Sequence, residues 1–104
     1  MNVKEILIEN NYIEEAGKMN DEILKMDIGT CTNIRPIPND MCKLFEGVEL
    51  TNKSETCVIT LNFEFFNGED EFLPLGVDWI GEDGFISVAK NYDEKLNLVY
   101  EDNF

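Results

Sequence analysis

The spacing of apolar positions changes part-way along this chain. Tyr12, Ala16, Met19, Ile23 and Met26 recur at intervals of four and three, while Glu14, Glu15, Lys18, Asp21, Glu22 and Lys25 fall mostly off that stripe. This is the period of a helix with one buried side. Asn10 and Asn11 separate it from a shorter helix over residues 3–9, with one of the two as a cap. Gly29 supplies a stop. Residues 30–41 read as a connector. Pro36 and Pro38 remove backbone donors there and bias Arg35 and Ile37 toward extended backbone.

Beyond Cys42 the period becomes two. Residues 43–51 form a strand interrupted at Gly47, and residues 55–66 give the clearest strand. Cys57, Ile59, Leu61, Phe63 and Phe65 fall on one face of it, with Thr56, Val58, Thr60, Asn62 and Glu64 on the other. Leu73, Leu75, Val77 and Trp79 alternate in the same way after a turn at Asn67-Gly68-Glu69-Asp70, and Pro74 marks a strand start or an edge. Gly81-Glu82-Asp83-Gly84 makes the next turn, and strands over 85–90 and 96–100 complete the set. Strands joined by short turns imply an antiparallel meander. The predicted architecture is a single α+β domain over residues 1–104, with N-terminal helices packed on one face of a four- to five-stranded antiparallel sheet.

Charge narrows the range of partners. Twenty-two Asp and Glu against eight Lys and Arg, with no His, leave a formal net charge of -14. Solubility of a small domain needs only roughly 2 to 8 units. From Ser54 to Ala89 there is no Lys or Arg, yet the stretch holds Glu55, Glu64, Glu69, Asp70, Glu71, Asp78, Glu82 and Asp83. Such a field speeds encounter with basic proteins and disfavours direct contact with nucleic acid or an anionic membrane surface. No apolar run reaches the length of a membrane span, and MNVKEILIENNY lacks the pattern of a signal peptide, so a cytoplasmic location is expected.

Catalytic chemistry finds little footing. Without His, neither a Ser-His-Asp nor a Cys-His arrangement can form. Cys31, Cys42 and Cys57 are odd in number and include no C-x-x-C pair, which points to buried, reduced thiols. A calcium loop centred on Gly84 would need ligands at Trp79 and Lys90, which cannot serve. No Gly-rich phosphate loop is present, and no cofactor is expected. The remaining candidate is a surface. Glu64, Phe66, Glu69, Asp70, Glu71, Phe72, Asp78, Glu82 and Asp83 combine carboxylates that steer a partner with aromatics that anchor it. Arg35, the sole Arg, is either solvated or paired with a carboxylate, or a specific contact residue.

Three phrases of the C-terminal third, Phe72-Leu73-Pro74-Leu75-Gly76, Gly84-Phe85-Ile86-Ser87-Val88 and Leu98-Val99-Tyr100-Glu101-Asp102, resemble the SUKH (SMI1/KNR4) superfamily. In that family an F-x-P-x-G phrase precedes a G-D-x-I strand and a V-Y strand. Many of its bacterial members are immunity proteins that neutralise toxins, often nucleases. The resemblance implies that direction and transfers no functional residue.

The expected function is therefore that of a non-enzymatic inhibitor, an immunity protein covering the groove of a basic toxin. One alternative is a phage or mobile-element protein that mimics nucleic acid toward a host defence enzyme. Another is a small enzyme using a carboxylate-bound metal.

Overall fold

A computed structural model describes residues 1–37, 47–63 and 73–104. Three short helices, α1 (Val3–Glu9), α2 (Ile13–Lys18) and α3 (Asp21–Leu24), precede six strands. The strands are β1 (Asn33–Pro36), β2 (Gly47–Thr51), β3 (Cys57–Asn62), β4 (Leu75–Ile80), β5 (Ile86–Tyr92) and β6 (Leu98–Asn103). All pair antiparallel, and their order in the sheet is their order in the chain. The fold is α+β, with six strands instead of the four or five expected.

The helices follow local chemistry. The Asn2 side chain accepts from the Glu5 N–H and starts α1. Asn10 ends it, donating its amide to the Ile6 carbonyl, and Asn11 turns the chain at a positive φ of 67°. The single helix expected over 12–26 is instead two. Met19 is extended, and the Asn20 side chain accepts from the Glu22 N–H to begin α3. The predicted stripe nevertheless survives the break. Ala16 and Ile23 are buried, and Tyr12, Met19 and Met26 pack against the core. Gly29 does not end a helix, because α3 already stops at Leu24. It takes a left-handed turn with φ of 58°, and its N–H donates to Asp27 Oδ1.

Alternation along the strands decides which side the helices cover. Val48, Leu50, Ile59, Leu61 and Leu75 share one face and are buried with Val3, Ile6, Leu7, Ile23 and Leu24. Burying such a side chain contributes about 1.5–3 kcal/mol relative to leaving it in water. Cys57, Phe63 and Val77 extend this face, and Phe63 meets the Tyr12 ring at 5.8 Å between centroids. On the other face Thr51, Val58, Thr60, Gly76, Asp78 and Ala89 are half-buried, and among the described residues no helix lies over them.

The added strand is β1, which was read from the sequence as connector. It pairs with β2 through Asn33↔Thr51 to Pro36↔Val48, and Ile34 packs on the core side. Pro36 is accommodated because β1 lies at an edge of the sheet.

Candidate functional site

The strongest chemical anomaly lies in the middle of the uncovered face. Asp78 on β4 stands between Val58 on β3 and Ala89 on β5. Burial, and secondarily the negative charge of Glu49, push its carboxyl above the ordinary carboxylate range. Neither described ion pair includes Asp78. Arg35 and Glu49 join across β1 and β2 at 2.7 Å, and Lys90 reaches Glu101 at 3.4 Å. Lys90 belongs to the opposite face, where its Nζ stands 5.4 Å from the centroid of the Trp79 ring. Among the described residues, β3 carries no cation and the one on β5, Lys90, lies on the opposite face, so neither flanking strand neutralises Asp78 on its own face.

At Gly76 a Cβ would stand 3.0 Å from Asn91 Oδ1, so a larger residue there needs that side chain to shift. Toward the end of the sheet the surface dips into a polar depression of about 880 Å3, lined by Arg35, Thr51, Glu55, Val58 and Glu82 among others. It lies between the turn joining β2 to β3 and the turn joining β4 to β5. Asn52 organises the first turn, its Oδ1 accepting from the Thr56 and Cys57 N–H groups. Gly84, at φ of 83°, permits the second.

The structure thus places the predicted site residues unevenly. Asp78 is the cross-strand partner of Val58, and Glu82, in the turn after β4, lines the same depression as Val58. Asp83 has a local task, because its Oδ1 accepts from the Phe85 N–H and closes the turn. Glu64, Phe66, Glu69, Asp70, Glu71 and Phe72 lie outside the described residues. Phe85, directly after the acidic turn, has 74% of its surface free, and Trp79, next to Asp78 in the chain but on the opposite face, is also exposed. Glu49 was missed as a site residue. Its link to Asp78 depends on strand register, which alternation within one strand does not reveal. Arg35 proves to be carboxylate-paired.

On the helical side an apolar groove of about 510 Å3 runs between the 26–31 segment and β3 to β5, with Cys31, Cys57, Val77, Trp79 and Tyr92 in its walls. Cys31 is buried and free, and desolvation together with neighbouring Cys57 pushes its thiol up to about 11. Such a thiol is a poor nucleophile at neutral pH. Among the described residues no cluster of three Cys, Asp or Glu is placed to hold a metal ion, and no helix is long and apolar enough to cross a membrane. Comparison with protein-family models, with curated proteins and with solved structures finds no match.

Proposed function

We propose that this protein is a small acidic inhibitor that binds a basic protein and covers its working groove, the partner being a toxin of the nuclease type. The observation that carries the reading is Asp78. A half-buried carboxylate in a central strand, with no cation paired to it among the described residues and the negative charge of Glu49 on the same face, works against the free fold. An arginine or lysine from a partner would relieve that cost on binding, so the group favours the complex over the free protein. The depression at the end of the same face, with Glu82 in its lining, and the exposed ring of Phe85 fit the same role. Carboxylates would speed encounter and the aromatic ring would slow escape. Nucleases expose basic grooves for phosphate, which makes them a natural target for a chain of net charge -14. The resemblance of the C-terminal third to SUKH immunity proteins points the same way.

The test begins with affinity capture from a lysate of the source cells, followed by binding kinetics on the identified partner. The expected partner is basic, loses its own activity in the complex, and associates more slowly as salt rises. Asp78→Asn combined with Glu82→Gln should lower the association rate. Replacing Glu14, Glu15 and Glu22 on the helices by Gln should do so much less. Equal losses from both sets would mean that only net charge matters and that this face is not the interface.

A further inference from the structure

The two edges of the sheet are not equivalent, and hydrogen-bond alternation shows why. In an antiparallel ladder, residues bond alternately to one neighbour and to the other. The Ile37 N–H bonds to the Gly47 carbonyl, so Asn33 and Arg35 turn their backbone groups toward β2, and Ile34 and Pro36 turn theirs outward. Pro36 has no N–H to offer. β1 is therefore a short edge with a donor missing at the position an added strand would use, a common protection against unwanted pairing.

The opposite edge lacks that protection. The Phe104 N–H bonds to the Ser87 carbonyl, so Tyr100 and Asp102 face β5, while Glu101 and Asn103 each turn an N–H and a C=O outward. β6 spans Leu98–Asn103 without a proline or a lysine. Leu98, Val99 and Tyr100 are each about half exposed, at 52%, 53% and 52%. The acidic groups beside this edge are Glu101 on the helical side and Asp102 on the uncovered side, with Tyr100 Oη donating to Asp102. Lys90 is the cation in contact with Glu101.

We propose that β6 is a docking edge for an extended cationic segment of a partner protein, which adds to the sheet as a seventh strand. Backbone groups of Glu101 and Asn103 supply the ladder. Glu101 and Asp102, on opposite faces, select Lys or Arg at adjacent positions of the incoming strand, and Leu98 and Tyr100 receive its apolar side chains. A second copy of this chain is disfavoured as the occupant by repulsion between two bodies of net charge -14 each. The proposal rests on the basic partner inferred above and adds the element that partner uses.

The probe is a synthetic extended peptide in which Lys alternates with Val and Thr, compared with the same peptide N-methylated at every amide, which keeps the charge and removes the donors. On the full chain, the unmodified peptide should slow amide hydrogen exchange at Glu101 and Asn103 and leave Ile34 unchanged. N-methylation should weaken binding by about tenfold or more. Asn103→Pro, which places on β6 what Pro36 places on β1, should do the same at an unchanged melting temperature. If that variant does not fold, the exchange measurement on the unaltered chain decides.

Equal affinity for both peptides, unchanged exchange at Glu101 and Asn103, or no binding overturns the proposal. A dimer in sedimentation with those two amides already protected overturns it in favour of self-pairing. A captured basic partner whose binding is weakened by Asp78→Asn with Glu82→Gln but untouched by Asn103→Pro keeps the inhibitor reading and removes the edge. A partner that is not basic removes the inhibitor reading, whatever the peptides do.

Discussion

Leu61 and Thr60 are neighbours on β3, yet they belong to different problems. Leu61 is fully buried against the helices, and Thr60 is half-buried on the face that none of the described helices covers. The same contrast runs across the sheet, with Val48, Leu50, Ile59 and Leu75 on one side and Thr51, Val58, Gly76, Asp78 and Ala89 on the other. Because side chains alternate strictly along a strand, one stretch of sequence serves both faces at once. The covered face is selected for volume and apolarity. The uncovered face can tolerate a residue such as Asp78 that works against stability, because neighbouring residues on the same strands supply the core.

The largest effect should come from the covered face. Leu61→Ala should cost on the order of 2–5 kcal/mol in chemical denaturation, and Ile23→Ala, from the helical side of the same core, on the order of 2–4 kcal/mol. Thr60→Ala should stay within about 0.5 kcal/mol. A similar loss at Thr60 and Leu61 would erase the distinction between the faces. Next comes Phe85→Ala. With its ring exposed, the change should leave the melting temperature in place and raise the dissociation rate from the partner, by about 1 kcal/mol or more. A stability loss without a kinetic change would make Phe85 a packing residue.

Asp78→Asn should have a smaller effect with a distinctive pH signature. The folded-state carboxyl titrates above its unfolded value, so between the two values the folded chain binds more protons than the unfolded chain. Its contribution to stability is therefore present at acid pH and lost as pH rises through the folded value. The variant should melt higher than the parent at neutral pH, and the gap should close as pH falls to the ordinary carboxylate range. Asp93 should behave in the opposite way. Backbone N–H donation from Asn97, and then from Lys95, lowers its carboxyl, so its contribution is present above the unfolded value and lost as pH falls through the folded one. Asp93→Asn should accordingly lower the neutral-pH melting temperature slightly and have no effect at low pH. The smallest expected shift is a rise in melting temperature with added salt, through screening of the net charge of -14. No shift up to about 0.5 M salt, well beyond physiological screening, would mean the charges are already far enough apart.

Strong local signals in the sequence were legible. The helix over Val3–Glu9, the core-facing set Cys57, Ile59, Leu61 and Phe63, and the turn at 81–84 follow from period and turn chemistry. β1 was not legible, because Pro36 argues against a strand unless its missing donor faces outward at an edge, and that depends on pairing with β2. The break at Met19 was hidden because the buried stripe runs through it unchanged. Of the site, Asp78 and Glu82 could be read from the cation-free stretch that holds them. The charge on Glu49 that acts on Asp78, and the outward turn of Glu101 and Asn103, depend on register between strands, which no single segment encodes.

The match between strand order and chain order also bears on synthesis. Each hairpin of the sheet can close as soon as its second strand leaves the ribosome, so the sheet can grow one strand at a time from local contacts. The helices face a different schedule. Ile6 and Leu7 emerge early, but the core residues they share a cluster with extend to Leu75 on β4. Until that strand is made, the amphipathic N-terminal segment has no complete surface to cover. The nascent chain therefore carries exposed apolar side chains until β4 is made, and its abundant carboxylates give those intermediates a charge that opposes their association.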